Sequence, residues 1–199
     1  MTTLAASFTS SSQLWYLTRA TAIVAFVLMT VSFGLGLAST QRLREMRYWP
    51  RFATQHLHRN VALLALGFTL LHIVTTMIDT FVHVGWWSVA VPFVSHYRTL
   101  GMAMGTLSFD AVVLVIVTSL LRDRLSLRTW RVIHWTTYAL WPLAFGHFLL
   151  TGTDAAHGRW GLYLALGSLG VLSVATAARW LTSERRNSLT AVPRVAGAR

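Results

Sequence analysis

Residues 20–38 read ATAIVAFVLMTVSFGLGLA, an unbroken run of 19 positions without a charge. A helix needs roughly 20 apolar residues to cross the hydrocarbon of a bilayer, so this run reads as a membrane span. Further blocks of the same kind lie at 57–78, 101–121, 132–153 and 160–178, each bounded by Arg, Asp or a turn. The chain is 54% hydrophobic and only 12% charged, where an average soluble domain carries roughly 25% charged residues. Its apolar residues collect in blocks and do not alternate with polar ones at a helical or strand period, which excludes an ordinary soluble core. The sequence thus predicts an all-α polytopic membrane helical bundle of about five transmembrane helices. The first block lacks a basic leader and a small-residue cleavage site, and is expected to stay in the mature protein.

The net charge of +11 comes with 17 basic residues, every one of them Arg. They flank the apolar blocks instead of forming one stripe, so membrane topology accounts for them and nucleic acid is not an expected partner. Arg42, Arg44, Arg47 and Arg51 share one loop, Arg122, Arg124, Arg128 and Arg131 another, and Arg185, Arg186, Arg194 and Arg199 the tail. The remaining loops hold only Arg98 and Arg159, beside Asp79 and Asp154. Short cytoplasmic loops carry the excess of positive charge, which predicts the N-terminus outside and the C-terminus inside. Residues 1–13 form an N-terminal segment, 14–181 the membrane domain and 182–199 a disordered basic cytoplasmic tail. Residues 80–97 also lack charge, but Gly85, Pro92 and the absence of room for a turn argue against a sixth span. Trp86, Trp87 and Tyr97 suit the membrane interface, so this stretch is expected as a re-entrant or surface-lying segment on the outer face.

Histidines supply the chemistry, since the chain has no Cys and hence no thiolate to hold a metal or cluster. His58 and His72 lie 14 residues apart on span two, within roughly 40° of one face and roughly 21 Å apart in height. His134 and His147 lie 13 apart on span four, a similar vertical step of roughly 20 Å. Both spans run from the cytoplasm outward in this topology. His58 therefore falls level with His134, and His72 with His147. Paired imidazoles on facing helices suit a planar iron macrocycle with one axial ligand on each side. Thirteen residues of ideal helix turn through about 220°, however, so span four cannot be straight and regular. Pro142 lies between the two histidines and is the expected kink.

These spacings, with QHLHRNVALLALGFTLLH at 55–72 and RVIHWTTYALWPLAFGH at 131–147, resemble the ferric reductase-like transmembrane domain family. That family includes the membrane parts of ferric reductases and NADPH oxidases and the haem-bearing membrane subunit of a bacterial methionine sulfoxide reductase system. The resemblance covers roughly residues 14–180. It implies that His58, His72, His134 and His147 hold two b-type haems, in pairs His58/His134 and His72/His147, that pass electrons across the membrane. It also implies a location in the plasma (inner) membrane of a bacterium. Fused members carry a flavin and nicotinamide module after the last span; here a short polar tail follows, with no GxGxxG and no βαβ-length segment. The expectation is thus an oxidoreductase component and not a complete NAD(P)H-dependent enzyme. Its donor would be a separate flavoprotein, a flavin shared with a partner, or a quinol, and its acceptor an unknown extracytoplasmic partner. Two other readings stay open, a metal-ion transporter with intramembrane histidines and a non-catalytic assembly subunit.

Other polar residues carry weaker expectations. Asp110, near the middle of span three, should be protonated, paired or turned inward, with a structural hydrogen bond to Ser108 or Thr106 favoured over proton handling. Arg19 should snorkel, its guanidinium within reach of a haem propionate. Arg59 and Arg131 stand near the inner ligands as positive-inside residues or propionate partners. Gly34, Gly36 and Gly67 permit close helix approach. His56 is expected in a loop, and His83, His96 and His157 in outer loops as solvated residues.

Overall fold

The computed structural model of the chain describes residues 12–40, 51–80, 82, 84–156 and 159–190. Among them there is no strand, because in lipid a helix satisfies every backbone group within its own segment. The helices are α1 (Ser12–Thr40), α2 (Arg51–Ile78), α3 (Thr99–Leu120), α4 (Leu127–His134), α5 (Thr137–Thr151), the single turn α6 (Thr153–Ala156) and α7 (Trp160–Thr190). Four of these, α1, α2, α3 and α7, are long and apolar enough to cross a membrane.

The fifth expected span lies in two pieces. α4 ends at His134, and α5, at 15 residues, is roughly 22 Å long, short of the roughly 30 Å hydrocarbon core. Between them the chain tightens into 3-10 bonds, with Thr136 N–H donating to the Ile133 carbonyl, Tyr138 to Trp135 and Ala139 to Thr136, each at 3.0 Å. The winding change thus sits at residues 134–139, ahead of Pro142, where the kink was expected. Pro142 lies inside α5, and the physical reason is one of geometry. Its ring presses on the carbonyl four residues back, that of Tyr138, so the disturbance is felt on the N-terminal side.

α1 packs along α2, and α3 along α5, so the histidine-bearing helices α2 and α5 each lean on a different neighbour. α7 closes the bundle against α1 and α5. Phe26 of α1, Trp141 of α5 and Leu172 of α7 form the buried core, and the Trp141 indole donates to Thr30 Oγ1 at 3.0 Å. The outward faces are apolar, as at Leu64, Val74, Leu166 and Val174, which suits lipid and not water.

Among the described residues between 79 and 98 there is no sixth span. They include one 3-10 turn, Trp86–Val89, seated against α3. Ser88 is buried and its carbonyl accepts from Thr106 Oγ1 at 2.6 Å, while Trp86 and Trp87 are exposed. The turn thus lies against α3 with its two tryptophans outward. α7 continues to Thr190, into the stretch expected as polar tail, since 182–190 contains neither Gly nor Pro to stop a helix.

Candidate functional site

His58 and His72 on α2 face His134 at the end of α4 and His147 on α5. The His58 and His134 rings stand 6.4 Å apart, centre to centre, with planes at 74°. The His72 and His147 rings stand 6.4 Å apart with planes at 70°. Both expected pairs therefore form, at two levels of the bundle separated by roughly 21 Å along α2. The tight turns after His134 help: three residues wound at about 120° in place of 100° add roughly 60° of rotation. That turns His147 toward the face His134 already uses.

Each ring's orientation has a local cause. His72 Nδ1 lies 3.0 Å from the Thr18 carbonyl of α1, and His147 Nδ1 lies 2.8 Å from the Gly101 carbonyl of α3. His58 Nδ1 lies 2.9 Å from the Ser32 carbonyl of α1, with Ser32 Oγ at 3.3 Å. A carbonyl only accepts, so in all three rings Nδ1 carries the proton and Nε2 presents a lone pair. This is the usual arrangement behind a metal-bound imidazole. His134 differs, because its Nδ1 is buried without a hydrogen-bond partner and the ring is stacked on Trp130 at 4.9 Å.

Among the described residues, no group of three or more His, Asp or Glu side chains is placed to hold a metal ion. Two imidazoles alone suit a metal whose other ligands come from a ring. A metal–imidazole bond is roughly 2.0 Å and a ring nitrogen lies about 1.1 Å from the ring centre, so imidazoles on opposite sides of one iron stand about 6.2 Å apart. Both pairs match that separation. An apolar cavity surrounds the His72 and His147 pair, lined also by Thr18, Arg19, Met29, Gly105 and Val112. Thr18 Oγ1 is buried there without a partner. The residues present fit a haem.

A model of the ferric reductase like transmembrane component family matches residues 21–145, more than half of the chain. The chain belongs to this family. The match takes in His58, His72 and His134 and stops two residues short of His147. Searches of curated proteins and of solved structures returned no match.

Several residues of this ferric reductase-like chain sit otherwise than the sequence suggested. Arg19 does not stand free at the edge of span one. It forms a two-point ion pair with Asp154, its Nε donating to Oδ2 at 2.8 Å, and its guanidinium lies 4.0 Å over the Trp15 ring. Asp154 is buried, so the pair ties α1 to α6 beside the cavity. Asp110 is exposed on α3, not turned inward, and neither expected hydroxyl reaches it: Ser108 donates to the Leu140 carbonyl and Thr106 to Ser88 and Met102. His56 is exposed, and it lies within α2 because that helix starts at Arg51, earlier than the apolar block. Arg59, Arg131 and His96 are exposed, while His83 and His157 lie outside the described residues. Of the glycines, Gly36 faces the His58 ring, Gly34 faces Leu172, and Gly67 faces open space.

Gly105 went unnoticed in the sequence. A Cβ there would stand 2.5 Å from His147 Nδ1, so only glycine lets that ring lie against α3. The signal was available in GMAMG at 101–105, a small-xxx-small pair one helical turn apart. Gly101 gives the carbonyl and Gly105 the space.

Proposed function

We propose that this protein is the membrane component of a reductase and carries electrons across the bilayer, with His58/His134 and His72/His147 each holding one b-type haem. The observation that carries the reading is the pair of ring separations, 6.4 Å at both levels. A haem at each level supplies a reversible one-electron couple, and two at different depths supply a path across the membrane. The residues do the rest. Three backbone carbonyls fix the rings, Gly105 admits the His147 ring, and Phe26, Met29 and Val112 keep water from the cavity.

The unit responsible spans residues 14–181, with its N-terminus outside and its C-terminus inside the plasma membrane of a bacterium. The arginine-poor loops at the His72 end and the arginine-rich loops at the His58 end support that orientation. Members of this family generally work with a redox donor module, and here the donor is a flavoprotein or quinol outside these 199 residues. The acceptor lies on the extracytoplasmic side.

Purified protein expressed with ample haem should show oxidised and reduced b-type spectra with two haems per chain. His72→Ala or His147→Ala should remove the outer haem and largely spare the inner one. A colourless protein would overturn the reading, and equal loss of both haems would overturn the two-level arrangement.

A further inference from the structure

Of the four histidine Nδ1 atoms, three are anchored and one is not. The Nδ1 atoms of His58, His72 and His147 each meet a backbone carbonyl of another helix at 2.8–3.0 Å. His134 Nδ1 is enclosed by protein with no partner, so neither a carbonyl nor solvent fixes or polarises its ring. The backbone under it is also irregular. His134 is the last residue of α4, and the next bonds are the 3-10 contacts of Trp135 to Val132 and Thr136 to Ile133. What holds the ring is the Trp130 stack, itself on α4 and capped by Arg122 at 5.1 Å. By contrast His147 is wedged against the α3 backbone at Gly105.

An imidazole whose second nitrogen donates to a carbonyl is a stronger and better-aimed ligand, and losing such a partner typically costs about 10–100-fold in metal affinity. On the reading of the four histidines as haem ligands, we infer that His134 is the exchangeable one, and that the inner level is a binding site for a small neutral diatomic ligand such as carbon monoxide. With a haem bound, His134 would give up its coordination to the iron and the ligand's carbon would take its place, with no net transfer of protons or electrons. The ring leaves neutral and swings on the 134–136 turn. The outer level stays closed because both its rings are anchored from two different helices, α1 and α3.

The test is a carbon monoxide titration of the full chain, reduced with dithionite and followed by visible absorbance. The expected result is uptake of one molecule per two haems. Uptake should persist in the His72→Ala/His147→Ala double variant, which keeps only the inner haem, and vanish in His58→Ala/His134→Ala. Trp130→Ala, which removes the stacked ring that holds His134, should raise carbon monoxide affinity about two- to ten-fold while the inner haem is retained. That variant keeps the test decisive if the double variants fail to fold. Two haems per chain with no uptake, uptake at the outer level, or an unchanged affinity in Trp130→Ala would each overturn the inference alone. A protein that binds no haem would overturn the functional reading beneath it.

Discussion

Gly105→Ala adds one methyl group at the point where α3 meets the His147 ring. The new Cβ would stand 2.5 Å from Nδ1, 2.7 Å from Cε1 and 2.9 Å from Cγ. Ordinary contacts between such atoms are about 3.5 Å or longer, so the ring must retreat by roughly 1 Å. Gly101 lies on the same helix, so a retreat from Gly105 also stretches the 2.8 Å contact of Nδ1 with the Gly101 carbonyl. That bond passes beyond roughly 3.5 Å and is lost. A buried N–H without a partner costs about 1–3 kcal/mol, and overpacking adds a similar amount. For ligation, losing the second partner of an imidazole predicts about 10–100-fold weaker haem binding at the outer level only. The assay is haem per chain at limiting haem, with thermal unfolding in detergent on the same samples. Gly67→Ala is the control, since nothing lies within 4 Å of a Cβ at that position. A Gly105→Ala protein with wild-type haem content and unfolding temperature would refute the reasoning.

Two further substitutions test the surroundings of the site. Arg19→Gln strands the Asp154 carboxylate, which is 6% exposed, and should cost about 3 kcal/mol, the low end for a buried pair because the Arg19 side chain is partly solvated. The double variant with Asp154→Asn should recover more than half of that loss in thermal unfolding; a cost no smaller than that of the single change would show that the pair itself is not responsible. Asp110→Leu removes a carboxylate from an exposed, mid-helix position on α3 and should favour membrane insertion of that span by about 2.5–3.5 kcal/mol. Insertion efficiency of the isolated span, read by glycosylation mapping, checks it, and no gain would mean that this face does not meet lipid.

The long apolar runs were legible because a bilayer leaves so few options. Four of the five expected spans are single helices, and their backbone bonds close within each segment. The shared face of His58 and His72 was legible from spacing, since 14 residues bring a helix back to nearly the same face, whereas the 13 residues between His134 and His147 called for a break in the helix. What holds the rings was not legible. The Thr18, Ser32 and Gly101 partners are backbone carbonyls, which carry no side-chain signature. Arg19 and Asp154 lie 135 residues apart, and only the tertiary packing that sets α1 beside α6 brings them together. Asp110 was misjudged because an apolar helix gives little indication of which face turns inward.

The broken fifth span links the legible part of the site to the illegible part. A 13-residue spacing demands extra rotation between His134 and His147, and the chain supplies part of it at residues 134–139, immediately beside one ligand. That position has a consequence for the ligand. Histidines inside a helix, His58, His72 and His147, are carried past the flank of a neighbour and find a carbonyl there. His134 sits where α4 stops, so its ring is set by the turn and by Trp130, and no carbonyl of α1 or α3 meets its Nδ1. The irregularity that brings two facing pairs into being thus leaves one of the four rings unanchored, and it does so at the His58 level and not at the His72 level.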